Sequence, residues 1–563
     1  MHKHRPAEAG TAPTRFSARQ TIIGLRGRDL RSSLGLLLTQ GLRQPLHGLR
    51  NGLELTGKLA RVLRGETLHP VGDDPRFADP TWHLNPLYRR GLQAYLACQQ
   101  QCLDWIEGSN LSAEDRDRVR FLVRQLTQAL SPSNGPLNPQ ALKECFDTGG
   151  ASLARGLRQL LHDLPRGMPN QVPPGVFRLG ANLATSRGAV VLRNEVLELI
   201  QYQPMTPQRH AVPLLIVPAQ LNKFYIFDLN ARKSFVQYCL KQNIQVFMVS
   251  WRNPDRSHRE WGLSSYVQAL REALEACRSI SGGEQVNLVG ACAGGLTIAA
   301  LQGYLQAVGQ LDQVASATYL VSLLDSQLDA TPLLFVHEED LESAKRHSYQ
   351  QGVLDGRELA RLFAWMRPSE LIWPFWVNNY LLGRQPPPND ILYWNNDSTR
   401  LPAALHGELL DFFKFNPLLR PGGLEVCGQP VDLSQVTVDS FSVAGRNDHI
   451  TPWEAVFRSA RLLGGQRRFL LVNSGHVQSV INPPGTNPKA SYQDLEQLDG
   501  QQPQAWASDS PVRKGSWWPL WINWLQAHAG PLQPARETLG NEAYPAQEAA
   551  PGLYVLQRLE ATG

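Results

Sequence analysis

Apolar residues recur at three- and four-residue steps through much of the first third of the chain. Leu92 to Leu103, Arg116 to Leu130 and Pro139 to Leu161 each carry this spacing, which predicts amphipathic helices. Pro132-Ser-Asn-Gly135-Pro and Arg166-Gly-Met-Pro169, with Pro173-Pro174-Gly175, interrupt the pattern. Residues 1–185 are therefore expected to form a mainly helical N-terminal domain. Near residue 188 the period changes to short, β-branched runs: Gly188–Arg193, Glu195–Tyr202, Pro213–Val217, Ile244–Val249, Gln285–Val289 and Ala315–Leu324. A helical stretch at 264–279 precedes one of them, and another follows Val289. Strands alternating with helices of this length imply a parallel sheet covered on both faces. This places the first part of an α/β domain at residues 186–325.

The rhythm then stops. Residues 326–430 hold several helical pieces, many aromatics (Phe363, Trp365, Trp373, Trp376, Tyr380, Trp394) and Pro386-Pro-Pro388, with no visible strand alternation. An inserted cap is expected there. Val436–Val443 and Arg468–Val472 return to strand character, so residues 431–530 complete the α/β domain. Its last helix, about Ser516 to Leu525, is expected to pack its tryptophans in the core. Residues 531–563 are rich in Pro, Ala and Glu and are expected to form a loosely ordered tail.

Composition narrows the class. The chain has 563 residues, 42% hydrophobic and 19% charged, ordinary values for a globular protein large enough for more than one domain. No run of about 18 uncharged apolar residues occurs, so no transmembrane helix is expected. The Met1-His-Lys-His-Arg-Pro start lacks the apolar stretch of a secretory signal. Seven cysteines without a CxxC pair suggest neither a disulfide framework nor a zinc site. Cys239 and Cys277 fall on apolar faces and read as core, which fits a reduced, cytoplasmic protein. Residues 1–65 hold 12 Lys/Arg against 3 Asp/Glu. That stretch is rich in leucine rather than aromatics, with Leu30, Leu34, Leu37, Leu38 and Leu42 at helical spacing. A basic amphipathic helix of this kind meets a lipid-like surface or a partner groove better than nucleic acid, or packs on its own domain.

The chemistry centres on Val286-Asn-Leu-Val-Gly290-Ala-Cys292-Ala-Gly294-Gly295. A strand ending at Gly290 and a small-residue helix beyond it give the form of a nucleophile elbow, G-x-S-x-G, with cysteine in the serine position. An elbow in the middle of an alternating sheet identifies the fold as α/β-hydrolase, here with a helical N-terminal domain and an inserted cap. An acid and a histidine must follow in that order, at strand ends. Asp448 lies after the Val436–Val443 strand and His476 after Arg468–Val472. Asp325 competes for the acid role. His449 competes for the base role, but it adjoins the acid and faces it poorly. The oxyanion donors are expected to be the backbone N–H of Ala293 and one from the loop after Pro213–Val217, near Asn222. Cysteine tilts the chemistry towards acyl transfer, because exchange between thioesters is nearly neutral in energy and the acyl group stays transferable.

Together with these sites, Asp74-Pro-Arg-Phe77, Trp82, Asn85-Pro-Leu-Tyr88, Asn222-Lys-Phe-Tyr-Ile-Phe-Asp, Asn447-Asp-His-Ile-Thr-Pro-Trp453 and Ile481-Asn-Pro-Pro cover nearly the whole chain. In these motifs the sequence resembles the polyhydroxyalkanoate synthases, most of all the class II, medium-chain-length type of pseudomonads. The resemblance implies polymerisation of (R)-3-hydroxyacyl-CoA with release of coenzyme A, which is part of the substrate rather than a cofactor; neither cofactor nor metal is implied. It implies Cys292 as the carrier of the growing chain, His476 as its activator, and Asp448 with them. It also implies a homodimer in the cytoplasm, on the surface of polyester granules and among granule-associated proteins, with no nucleic acid partner. The alternatives are a cysteine-dependent thioesterase or esterase of the same fold, and a granule scaffold without catalysis.

Overall fold

The computed structural model describes residues 35, 37, 39, 40, 42–72, 74–327 and 338–558. Leu30, Leu34 and Leu38 of the expected basic helix lie outside the described residues. Leu37 packs beside Ile106, Leu111 and Val119, whereas Leu42 is exposed. Helices Pro45–Leu63, Pro86–Glu107 and Ala113–Ala129 follow. The expected single helix from Pro139 to Leu161 is two, Pro139–Asp147 and Ala151–Asp163. Gly149 and Gly150 between them have φ of +58° and +87°, left-handed values that stop an α-helix and that glycine adopts at little cost.

The Asp74–Tyr88 motif is a folding device. Asp74 accepts from the Arg76 backbone and guanidinium, and Asn85 caps the helix that starts at Pro86. Phe77, Trp82 and Tyr88 stack edge to face, at 5.3 Å for each neighbouring pair.

Ten strands form the central sheet: β1 (Gly188–Arg193), β2 (Leu197–Tyr202), β3 (Leu214–Val217), β4 (Val246–Trp251), β5 (Val286–Ala291), β6 (Val314–Leu320), β7 (Asp439–Gly445), β8 (Arg467–Val472), β9 (Ser491–Leu495) and β10 (Arg513–Lys514). Their spatial order is β1-β2-β4-β3-β5-β6-β7-β8-β9-β10. From β4 to β8 every pairing is parallel, and the two strands at each edge are antiparallel. The expectation of a parallel sheet thus holds at its centre. Strands β9 and β10 carry too little apolar patterning to stand out in the sequence. Buried clusters lie on both faces of the sheet: Val267, Leu270, Leu274 and Ile298 on one, Phe235, Trp517, Trp518 and Trp521 on the other. Cys239 and Cys277 are fully buried.

Between β6 and β7 the chain leaves the sheet for helices that include Gly356–Met366, Asp390–Asn396 and Ala403–Phe415. A short antiparallel pair, Val353–Leu354 with Leu401–Pro402, and a hairpin, Leu424–Val426 with Gln429–Val431, also occur there, where no strand was expected.

The expectation of a loosely ordered C-terminal tail is corrected. Leu532–Pro534 pairs with Gln208–His210. Beyond it, Gln547 N–H donates to the Val190 carbonyl and Val190 N–H to the Glu548 carbonyl, both at 2.8 Å, so the segment continues the sheet beyond β1. The carboxylate of Glu198, fully buried on β2, accepts the N–H groups of Leu553 and Tyr554, and Val555 enters the core. Composition signals poor core formation, but backbone pairing to an open sheet edge needs no apolar pattern.

Candidate active site

Cys292 stands between β5 and the helix Ala293–Ala307 with φ +51° and ψ −122°, a strained conformation for a residue with a side chain. The close packing behind it explains the glycines. A Cβ on Gly290 would lie 2.7 Å from the Gly294 carbonyl oxygen and the Gly295 Cα, and one on Gly294 would lie 2.2 Å from the Val217 carbonyl oxygen. The elbow helix therefore presses directly against the end of β3. The Cys292 N–H donates to the Leu320 carbonyl of β6 at 2.9 Å, which fixes the turn.

Asp448 and His476 sit on the loops that follow the adjacent strands β7 and β8. These loops are knitted together, with Arg446 N–H donating to Val472 and Asn447 N–H to Ser474. His476 Nδ1 and Asp448 Oδ2 are 2.7 Å apart. The other carboxylate oxygen accepts from the N–H groups of Ile450 and Thr451, and the Thr451 hydroxyl donates to Oδ2 at 2.7 Å. Burial opposes a charge on Asp448, but the His476 ring and these donors outweigh it and hold the carboxyl below its ordinary range. Burial opposes charge on His476 as well. There the Asp448 carboxylate and the Cys292 sulfur outweigh it and raise the imidazole to about 10. The structure thus brings Cys292, His476 and Asp448 together.

It leaves both rivals outside this hydrogen-bonded set. Asp325 pairs with Arg458 at 2.9 Å and accepts from Asn416. His449 is driven to about 4 by burial and by the Arg367 guanidinium, and its Nδ1 is buried with no hydrogen-bond partner among the described residues.

Ala293 is the first residue of its helix, so its N–H has no intrahelical acceptor. Asn222 lies in the loop after β3, in an antiparallel bridge with Ser398 of the cap. Several side chains that sequence reasoning passed over hold this loop. Gln220 donates to the Thr297 hydroxyl at 2.8 Å, and that hydroxyl donates to the Ala293 carbonyl at 2.9 Å. Thr399 donates to the Gln220 carbonyl, and Trp394 to the Lys223 carbonyl. Trp517, Trp518 and Trp521 are buried as expected, and the first two also reach the site. Trp517 donates to the Ser479 carbonyl and Trp518 to that of Val480, both in the helix His476–Val480. A buried indole needs an acceptor, the one signal that pointed to such anchors.

Among the described residues no three His, Cys, Asp or Glu side chains gather where they could hold a metal ion. None of the described helices is long and apolar enough to cross a membrane.

Residues 73–239 match the family described as poly-beta-hydroxybutyrate polymerase (PhaC) N-terminus, and residues 212–483 match the alpha/beta hydrolase fold. The chain is 62% identical to poly(3-hydroxyalkanoate) polymerase 2 of Ectopseudomonas oleovorans, over 99% of this chain and 100% of that one. It is 53% identical to polymerase 1 of the same organism, over 95% of this chain and 96% of that one. It is 39% identical to the poly(3-hydroxyalkanoate) polymerase subunit PhaC of Cupriavidus necator, over 86% of this chain and 83% of that one.

Proposed function

The chain belongs to the poly(3-hydroxyalkanoate) polymerases, of the class II pseudomonad type, and on that premise we propose that it polymerises medium-chain (R)-3-hydroxyacyl-CoA through a thioester on Cys292. It is an enzyme of acyl-transfer type that joins hydroxyalkanoate units into polyester.

In the proposed cycle the proton of the Cys292 thiol rests on the His476 imidazole, and the thiolate attacks the acyl-CoA carbonyl. The N–H groups of Ala293 and Asn222 hold the developing oxyanion. The thioester bond to coenzyme A breaks, and the departing sulfur receives the proton from His476. The 3-hydroxyl of the next unit then gives its proton to His476 and attacks the Cys292 thioester. An ester bond forms and the Cys292 thiol returns with that proton. Asp448 holds the ring in the tautomer that presents Nε2 to the sulfur and steadies the imidazolium.

The observation that carries this reading is the 2.7 Å His476–Asp448 pair beside a cysteine held at φ +51° on the strand-to-helix turn. Its test is incubation of the purified protein with (R)-3-hydroxyoctanoyl-CoA, in parallel with Cys292→Ala. Thiol release with insoluble polyester, both lost in the variant, is expected. Thiol release with free hydroxy acid alone would make the protein a thioesterase, and silence from the unaltered protein would leave it a scaffold.

The polyester surface is the proposed partner of the N-terminal helices, in the cytoplasm. Leu153, Leu157 and Leu161 recur at four-residue steps on Ala151–Asp163 and are 51%, 57% and 59% exposed, an apolar stripe suited to such a product.

A further inference from the structure

Gln557 lies beside the loop after β4, and hydrogen bonds connect it to the elbow. The Asn253 N–H donates to Gln557 Oε1 at 3.0 Å. Asn253 Oδ1 in turn accepts the N–H of Arg400 at 3.0 Å. The neighbouring Thr399 donates its hydroxyl to the Gln220 carbonyl at 2.6 Å, and its N–H to the Leu221 carbonyl at 3.3 Å. Ser398, one residue earlier, is bridged to Asn222. Gln220 Nε2 donates to Thr297, and Thr297 to the Ala293 carbonyl. Asn253, Thr399, Gln220 and Thr297 are all buried.

Buried polar groups of this kind hold one arrangement only while each keeps its partner, because an unpaired one costs the full desolvation of that group. The relay runs through both segments that carry the proposed oxyanion donors. At its far end the register of Gln557 is set independently: Glu198 accepts from Leu553 and Tyr554, the Tyr554 hydroxyl donates to the Asn194 carbonyl at 2.6 Å, and Val555 lies in the core.

We propose that Gln557 is a positioning residue for acyl transfer, acting through Asn253, Thr399, Gln220 and Thr297 to hold the N–H groups of Asn222 and Ala293 where the oxyanion develops. This rests on the reading of Cys292, Asn222 and Ala293 given above. Catalytic donors must sit within a few tenths of an ångström of their place, and loss of one outright costs about 10²–10³ in kcat. Loosening two of them through a relay costs less.

Gln557 is only partly buried and follows the Val555 anchor, so its replacement leaves the core intact. The test compares Gln557→Leu, which deletes the acceptor at similar volume, with Gln557→Glu, which keeps one. The same comparison is made in mid-relay with Thr399→Val and Thr399→Ser. Coenzyme A release from (R)-3-hydroxyoctanoyl-CoA is followed in the full-length protein. Gln557→Leu and Thr399→Val are expected to lower kcat about five- to twentyfold with KM within about twofold, while Gln557→Glu and Thr399→Ser recover most of the rate. Combining Gln557→Leu with Thr399→Val is expected to add little, since both break one relay.

An unchanged kcat in Gln557→Leu would overturn the proposal, with or without a lower melting temperature. Equal losses in Leu and Glu, or a full product of the two single losses in the double variant, would overturn it too. Cys292→Ala separates the two levels. If that variant still releases coenzyme A, the reading of the nucleophile fails and the relay falls with it. If it is silent while Gln557→Leu is fully active, the relay alone fails.

Discussion

His476 and His449 differ by 27 positions, and their environments push them in opposite directions. An adjacent carboxylate raises His476 to about 10, whereas burial and Arg367 lower His449 to about 4. Asp448→Asn is expected to lower kcat by about 10²–10⁴, because the ring loses its orienting acceptor. Asp325→Asn is expected to leave kcat within about threefold and to lower the melting temperature, because the ion pair of this buried carboxylate with Arg458 is lost. Steady-state coenzyme A release and calorimetry on both variants decide this. His406 in the cap is also held down, to about 4, by burial, His347 and Lys345. A histidine with a depressed native value stays neutral while the unfolded chain takes up a proton. Stability therefore falls as pH drops from about 6.5 towards 4, and it is recovered as pH rises. His406→Gln is expected to shrink the difference in melting temperature between pH 7 and pH 5.

At the scale of elements, the elbow is a strand, a strained turn and a helix that meet without room for side chains. Gly294→Ala would drive a Cβ to 2.2 Å from the Val217 carbonyl, a backbone atom that cannot rotate away. A loss of about 1–3 kcal/mol is expected, with lower kcat as the β3 loop is displaced. Gly91, in the helix Pro86–Glu107, has nothing within 4 Å of the same added atom. Gly91→Ala is expected to stabilise by about 0.5–1 kcal/mol through helix propensity alone. Urea unfolding of the two variants gives opposite signs on this account. The elements around the elbow were legible because each is a local pattern: Val286–Gly290 is a short, mostly apolar run with two valines, and the small residues after it suit a helix pressed on a sheet. The Gly149-Gly150 break between helices, and the edge strands β9 and β10, were not. The first needed attention to two residues inside a good periodicity, and the others have no continuous apolar run to reveal them.

Across the whole molecule, the chain returns at its end to close the sheet it opened at β1. Truncation after residue 546 removes the pairing of Gln547 and Glu548 with Val190 and leaves a bare edge. Lower melting temperature and concentration-dependent association are expected, measurable by light scattering. Arg193, which bridges Glu198 at 2.7 Å and Glu548 at 2.6 Å, keeps its inner partner in such a protein and loses its outer one.

The sequence by itself determined the α/β-hydrolase order of strands and helices, the elbow at Cys292, and the acid and histidine after later strands. It did so because chain order, periodicity and glycine placement are local or follow the direction of the chain. Only the tertiary structure decided between Asp448 and Asp325 as partner of His476, since both follow strands and differ only in what packs against them. Only the tertiary structure showed the tail as part of the sheet, the tryptophans bonded to the helix of His476, and Asn253 joined to Gln557 across 304 residues. Hydrogen bonds between segments so far apart leave no period in the sequence. They exist only once the sheet has set which loops are neighbours.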